Sequence, residues 1–402
     1  MQLVERHIIK STHKLFKECD QLAFKAKNLY NQALYRVRQH FFKTGDYLNY
    51  NAVQKQLQNE KQVDYIALPA KVSQQVLKNL DKNFLSFFRA NKAYQKTPTK
   101  FKAKPKIPKY KHKQKGRSLL TYTNQAVSKV SLKQGIIKLS KTNVKLKTKQ
   151  KSVQQVRIVP KISHYVIEVI YNQIEKPHID NDKIAAIDVG LNNLATISFN
   201  FHQNPIIING KPLKAINQFY NKKKAKFMAY VGDKGTSRRI EKLTFKRNNK
   251  VDHYLHQSSR YIINQLVSLN VSTLVIGWNQ GMKQAINIGK RNNQNFVAIP
   301  FAKFIHQLTY KAKLVGIKVI VREESYTSKC SFLDQEPIQK REIYQGRRVK
   351  RGLFKTAKYQ YINADVNAAY NILSKEFPNA FADGIEGVVV HPIRITPYQQ
   401  IA

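Results

Sequence analysis

Residues 184–210 read IAAIDVGLNNLATISFNFHQNPIIING. Within them the runs IAAIDVG, NLATISF and PIIING are short, aliphatic and separated by turn-forming Asn and Gly, the composition of three consecutive strands. Connections this short return a strand beside its predecessor, so the second and third are expected to come back antiparallel. Downstream, TSRRIEKLTFKRNNKVDHYLHQSSRYIINQLVSL at 236–269 carries a long basic helical pattern, and VSTLVIG at 271–277 is an apolar strand-like run. A helix is expected from Pro300 to about Leu314, a strand in GIKVIVREE at 316–324 and a last helix around ADVNAAYNIL at 364–373.

Three meandering strands followed by helix, strand, helix, strand, helix is the order of an RNase H-like α/β domain. Topology by itself assigns no activity. Upstream, Leu15, Cys19, Leu22, Ala26, Leu29, Ala33 and Val37 recur at three- and four-residue steps, the apolar stripe of an amphipathic helix that starts near Thr12. A second helix is expected from Pro69, with Val72, Val76, Leu80, Phe84 and Phe87 on one face. Between about 118 and 175 the runs SLLTYT, GIIKLS, VQQVRIV and HYVIEVIY alternate with Lys-rich turns, which predicts a small antiparallel β-barrel, with MQLVERHII supplying another strand. The chain therefore reads as an α+β multidomain protein. Its expected parts are a first barrel strand (1–10), an N-terminal helical lobe (11–95), a basic linker with the β-barrel (96–180), an RNase H-like domain in two pieces (181–325 and 362–402) and a basic insert between them (326–361).

The 402 residues include 71 Lys or Arg against 24 Asp or Glu, a formal net charge of +47, and are 42% hydrophobic. That apolar share supports a core and excludes general disorder. A charge so one-sided repels itself in a compact chain, so a polyanion is the expected partner and nucleic acid the first choice. A membrane partner is not expected, because no run of about 18 apolar residues is present. The start, MQLVERHIIKSTHKLFKECD, lacks the apolar stretch of a signal peptide, so a cytoplasmic location is expected. The only cysteines, Cys19 and Cys330, exclude a disulfide framework and a cysteine-rich zinc site.

Between Asp81 and Glu168 lie 86 residues without a carboxylate, and they carry 23 Lys or Arg. The densest part, Lys96 to Arg117, holds ten basic residues in 22, interleaved with three prolines, Phe101 and Tyr110. Basic side chains replace counterions on phosphates while aromatic rings stack on unpaired bases. Lys100, Lys102, Lys104, Lys106, Lys109, Lys111, Lys113 and Arg117 are the candidate contacts; a solvated basic linker is the plainer alternative. Tyr47, Tyr50, Tyr65, Phe84 and Phe88 could also stack on bases, with core packing the plainer role.

Only 13 acids lie beyond residue 183. Asp188 ends the strand-like IAAIDVG, Glu323 and Glu324 end IKVIVREE, and Asp365 begins the last helix. Carboxylates at neighbouring strand ends and on a helix laid across them can converge, and unpaired like charges there would be costly. Magnesium is the hard cation that resolves such a cost. Two ions, with manganese able to substitute, would serve in-line phosphodiester hydrolysis. Each acid also has a plainer reading: Asp188 as a turn residue, Asp365 as a helix cap, and the glutamates as surface charges.

The segments IAAIDVGLNNLATI (184–197), VIGWNQGMKQAINIGKRNNQNFVAIPF (275–301), LVGIKVIVREESYTSKCSFLD (314–334) and INADVNAAYNI (362–372) carry a resemblance to a known family. The chain resembles the TnpB family of transposon-encoded RNA-guided DNA nucleases, the relatives of type V CRISPR effectors. The resemblance implies a RuvC-type nuclease domain, a helical lobe and a small barrel that hold nucleic acid, and a guide RNA from the transposon end. It also implies a double-stranded DNA target with a short adjacent motif, Asp188 as the first catalytic acid and Asp365 as the third.

Two departures bear on activity. The commoner family pattern puts the second acid where this chain has Gly277. VSTLVIG and IKVIVREE are expected as adjacent parallel strands, about 4.8 Å apart, so a glutamate from the second can reach the same ions. Successive strand residues face opposite ways, so one of Glu323 and Glu324 is expected there, with Glu324 the slightly favoured of the two. The second departure is the loss of the family's four-cysteine zinc finger. Cys330 alone cannot build a tetrahedral site, so no zinc is expected, and the insert should be a basic lobe with Lys340, Arg341, Arg347, Arg348, Lys350 and Arg351 near phosphates. His253 and His256, three apart, lack further ligands nearby and are read as packing or phosphate contacts. Three functions stay open: a guided endonuclease, a guided DNA-binding repressor without cleavage, and a guide-independent resolvase or transposase.

Overall fold

In a computed structural model the described residues are 1–232, 235–279, 281, 287, 289–382, 384–385 and 387–397. Residues 280, 282–286 and 288 of the resemblance segment 275–301 lie outside them. The chain folds as two compact units, Met1–Gln173 and Ile174–Ala402.

The first unit contains β1 (Gln2–Lys10), α1 (Phe16–Thr44), α2 (Tyr50–Asn59), α3 (Val63–Ile66), α4 (Ala70–Lys96), β2 (Leu120–Thr123), α5 (Lys129–Lys133), β3 (Ile136–Lys138), β4 (Lys145–Lys147), β5 (Gln155–Pro160) and β6 (His164–Asn172). The apolar stripe of α1 is buried, and the helix stops at Gly45, whose φ of 79° suits the left-handed C-cap and whose N–H donates to Phe41 O at 2.9 Å. Among the expected stacking aromatics, Tyr47, Phe84 and Phe88 pack on one another and Tyr65 is buried, so these four belong to the core.

The expected barrel is corrected. β1, β6, β5 and β2 form a four-stranded antiparallel sheet in that order, and β3 with β4 forms a separate two-stranded ribbon. β1 pairs along its whole length with β6, and the three-residue β3 and β4 pair only with each other. That leaves β1 and β2 as open edges, so no closed barrel exists among the described residues.

The basic stretch is not a free linker either. Residues 108–118 run antiparallel along α1, with Arg38 bonded to Pro108 O, Asn31 to both backbone groups of Lys111, Lys27 to Lys113 O and Ala23 O to the Ser118 N–H. Arg117 closes the end of this strap with two 2.8 Å bonds to Asp20.

The second unit contains β7 (Ile184–Asp188), β8 (Asn193–Phe199), β9 (Ile206–Asn209), α6 (Lys211–Val231), α7 (Arg238–Ser268), β10 (Thr273–Gly277), α8 (Lys290–Val297), α9 (Phe301–Leu314), β11 (Lys318–Arg322), β12 (Arg347–Lys350), β13 (Leu353–Lys355), β14 (Tyr361–Asn363), α10 (Ala364–Glu376) and β15 (Ile393–Ile395). The main sheet has the order β11-β10-β7-β8-β9-β15. β7, β8 and β9 meander antiparallel, and β10 and β11 run parallel to β7, the succession read from the sequence. β15 was not anticipated: three residues flanked by Pro392 and Pro397 give almost no pattern, yet they pair parallel with β9.

Alternation places the two faces. Ala185, Ile187, Leu274 and Ile276 join the core with α7 and α9, while Ala186 and Val275 pack against Ile372 and Leu373 of α10. The turn after β7 is tight because two residues lack a side chain. A Cβ on Gly190 would lie 2.7 Å from Asn193 O, and one on Gly210 would lie 2.4 Å from Leu191 O. Gly190 is thus required by chain packing.

The basic insert folds as the three-stranded antiparallel sheet β12-β13-β14. Its loop is tied by hydrogen bonds. The buried Glu336 carboxylate accepts the N–H groups of Ser331 at 2.8 Å and Gln345 at 3.1 Å, and Asn367 and Asn371 of α10 each donate to Cys330 O at 2.8 Å. Phe332 stacks on Tyr370 with ring centroids 4.6 Å apart, which fixes the insert to α10.

Candidate active site

Asp188 and Gly277 lie two residues beyond Ala186 and Val275, and so on the α10 face of the sheet. α10 begins there. Asn363 caps it, its side chain accepting the N–H groups of Asp365 at 3.0 Å and Val366 at 3.3 Å. The cap role considered for Asp365 therefore belongs to Asn363, and the Asp365 carboxylate is left for other partners in the first turn, where the helix dipole favours it.

Gly277 opposes Arg322 in the β10–β11 register, and Arg322 pairs with Glu376 of α10 at 3.5 Å. Glu324 is two residues further along, and its Oε2 lies 3.0 Å from the position a Cβ on Gly277 would take. Its carboxylate thus stands where a side chain from residue 277 would project. Its N–H donates to Asn279 Oδ1 at 3.1 Å, which orients the turn after β11.

The structure separates the two glutamates. Glu323 is 56% exposed and accepts Lys375 Nζ at 2.8 Å and the Ser325 N–H at 2.9 Å. The Lys375 bond holds its carboxyl below the usual carboxylate range.

Asp188 is the last residue of β7. Part of its surface stays open, but protein surrounds the carboxylate closely enough that burial raises its pKa well above the usual range, and the charges of Asp365 and Glu324 raise it further. Arg348 and the Val189 N–H act in the opposite direction. Burial also pushes Glu324 up to about 7, with Glu323 adding to the rise and Lys375 opposing it.

Asp365 is held by residues that the sequence reading passed over. Asn193 Nδ2 donates to its Oδ2 at 2.6 Å, and Arg394 of β15 donates to Asn193 Oδ1 at 3.0 Å. Arg348, expected at a phosphate, instead donates to Asp365 Oδ1 at 3.0 Å. The one available signal was the position of Asn193 in the LNN turn just after Asp188.

Of the other basic candidates, Arg347 and Lys350 are exposed on β12, while Lys100, Lys102, Lys104, Lys106, Lys109 and Lys113 are exposed along the first unit's basic stretch. Lys111 lies with Nζ 5.1 Å from the Tyr30 ring centre, and Arg117 is bonded to Asp20 as an anchor of the strap. Arg351 faces the Asn192 side-chain amide, whose oxygen, once turned toward it, accepts from Nε at 2.9 Å.

Three carboxylates are a hard oxygen donor set, which fits magnesium or manganese in kind. As they stand, no three acidic, histidine or cysteine side chains among the described residues are gathered closely enough to hold a metal ion, and Asp365 is engaged by Arg348 and Asn193.

The raised glutamate has a measurable consequence. The folded chain holds a proton on Glu324 that the unfolded chain releases above its ordinary 4.5, so stability falls as pH rises from about 4.5 to about 7. Asp188 acts in the same sense. Calorimetry in chelator should show a melting temperature that drops across this window, and a shallower drop for Glu324→Gln; equal slopes for both proteins would contradict it.

Sheet order, face and acids together define an α+β protein with a candidate acidic centre. Comparison with known proteins then names the family. The family model described as "Probable transposase" (OrfB_IS605) matches residues 164–283, and the Cas12f1-like TNB domain model matches residues 301–372. The TnpB-like protein ORF457 of Acidianus two-tailed virus is 26% identical over 55% of this chain and 46% of its own length. The CRISPR-associated endodeoxyribonuclease Cas12f2 of a Micrarchaeota archaeon is 26% identical over 54% of this chain and 41% of its own. The matched part thus spans less than half of either relative. A cryo-EM structure of a Cas12f1–sgRNA–target DNA complex superposes with a TM-score of 0.53 at 17% identity, covering 89% of this chain and 82% of that one, a likeness of fold. These matches, over residues 164–283 and 301–372, support a TnpB family protein. Among the described residues no helix is long and apolar enough to cross a membrane.

Proposed function

We propose that this chain is an RNA-guided DNA endonuclease of a transposable element, cutting its target by metal-dependent phosphodiester hydrolysis at Asp188, Glu324 and Asp365. The observation that carries the reading is the Glu324 carboxylate beside Gly277, which supplies from the neighbouring strand the acid that residue 277 lacks. These three side chains would hold divalent cations, whose chemistry when bound is to activate a water and stabilise the leaving oxygen. The chain's own residues prepare that site. Asn193 orients Asp365, Arg394 orients Asn193, and Asn279 orients the backbone that carries Glu324. Asp188 and Glu324, both raised by burial, would give up their protons to hold a cation.

The exposed lysines of the first unit and the basic insert suit a guide RNA from the transposon end and a double-stranded DNA target with a short adjacent motif. Base pairing would carry specificity while the protein reads backbone shape. One observation favours a second reading, a guided binder without cleavage: the Arg348–Asp365 pair, which already neutralises one of the three acids.

The test is expression with flanking element sequence, sequencing of the RNA that co-purifies, and plasmid cutting in magnesium or manganese. A discrete element-derived RNA with cutting supports the endonuclease. The same RNA with tight target binding but no cutting supports the binder, and no such RNA supports a guide-independent resolvase or transposase.

A further inference from the structure

The face of α1 that carries Tyr35, Arg38 and Phe42 is unlike the rest of that helix, because its large side chains are left in solvent. Tyr35 is 53% exposed and Phe42 is 60% exposed, and residues 35, 38 and 42 share one side of the helix. Across from them the strap presents Tyr110, itself 46% exposed. Arg38 joins the two ring systems. Its guanidinium carbon lies 5.3 Å from the Phe42 ring centre and 5.2 Å from that of Tyr110, while Nη1 donates to Pro108 O at 3.3 Å.

This is a preformed arrangement rather than two stray aromatics. The strap that carries Tyr110 is fixed by the Asn31–Lys111 and Lys27–Lys113 bonds and by the Arg117–Asp20 pair, so the ring is positioned before anything binds. Exposed Lys109 and Lys113 flank it in a stretch that contains no carboxylate from 82 to 167. An apolar protein partner would leave those ammonium groups without counter-charge. A single-stranded nucleic acid satisfies both features, because its bases stack on the open ring faces and its phosphates take the lysines.

We infer that the Phe42–Arg38–Tyr110 group is a stacking platform for unpaired bases of the RNA that the chain carries. This rests on the guide-RNA reading above and deepens it. RNA is the occupant to which the geometry points, since Tyr110 is held in place by the strap's own bonds and lies within the stretch whose charge calls for a constant polyanionic partner, with Arg38 and Phe42 of α1 beside it.

The test titrates the RNA-free full-length chain against a fluorescein-labelled oligouridylate of about 16 nucleotides, followed by anisotropy. Tyr110→Ala and Phe42→Ala should each weaken binding roughly ten-fold, while Tyr110→Trp should bind as the parent does. The salt dependence should be unchanged in these variants, whereas Lys109→Ala should lower its slope by about one. Thermal melts confirm that each variant is folded. The inference is overturned if folded Tyr110→Ala and Phe42→Ala bind within about two-fold of the parent, if they lose duplex RNA to the same extent, or if the loss appears with oligothymidylate and not with oligouridylate. A parent chain that binds no RNA at all would instead remove the guide-RNA reading, and this platform with it.

Discussion

Asp188→Asn is expected to lower target cutting by about 10³-fold or more while the protein melts no lower than the parent. The two halves of that result have one cause. Burial and the neighbouring charges of Asp365 and Glu324 disfavour the ionised form of Asp188, so replacing it with an isosteric neutral amide relieves repulsion in the metal-free chain. The same replacement removes the most enclosed acid of the group, and an amide is a poor ligand for a hard dication. A gain or parity in stability together with lost cutting marks a residue kept for chemistry at some expense to the fold. Cutting within about ten-fold of the parent in Asp188→Asn, with RNA loading intact, would end the proposal that this group is the catalytic centre.

The second large effect separates two adjacent residues. Glu324→Gln should lose cutting by about 10²- to 10³-fold, and Glu323→Gln should stay within about three-fold of the parent. Glu324 places a carboxylate oxygen beside Gly277 on the α10 face, whereas Glu323 is spent on Lys375 at the surface. Cutting assays on both variants, each carrying its RNA, decide between them; the reverse ranking would move the second acid to Glu323. Gly277→Asp should not rescue Glu324→Gln, because the new Cβ would lie 2.4 Å from Ile372 Cδ1 in a closely packed cluster.

The order of β7 to β11 and the ends where acids sit were readable from runs of aliphatic residues punctuated by Gly and Asn. Which glutamate faces inward was not, because it depends on the register of β10 against β11, and nothing within either strand sets that pairing. The barrel failed for a related reason: alternation marks strands but not whether the first and last meet, and here β1 and β2 remain edges. Asn193 and Arg394 stayed hidden because their partnership joins the first residue of β8 to β15, 201 residues later. Likewise, the basic stretch looked like a linker because the side chains that fasten it, Asp20, Lys27 and Asn31, lie 80 to 97 residues before it. Composition reported what the strap is made of and nothing of where it is tied.

The neighbourhood of Gly277 carries a lesson for sorting relatives into cutters and non-cutters. Parallel strands lie side by side, so a functional group can hop from one to the next while staying nearly fixed in space. A survey that scores a single alignment column would see glycine and file the sequence as defunct; one that asks where the oxygen atoms are would look across to residue 324.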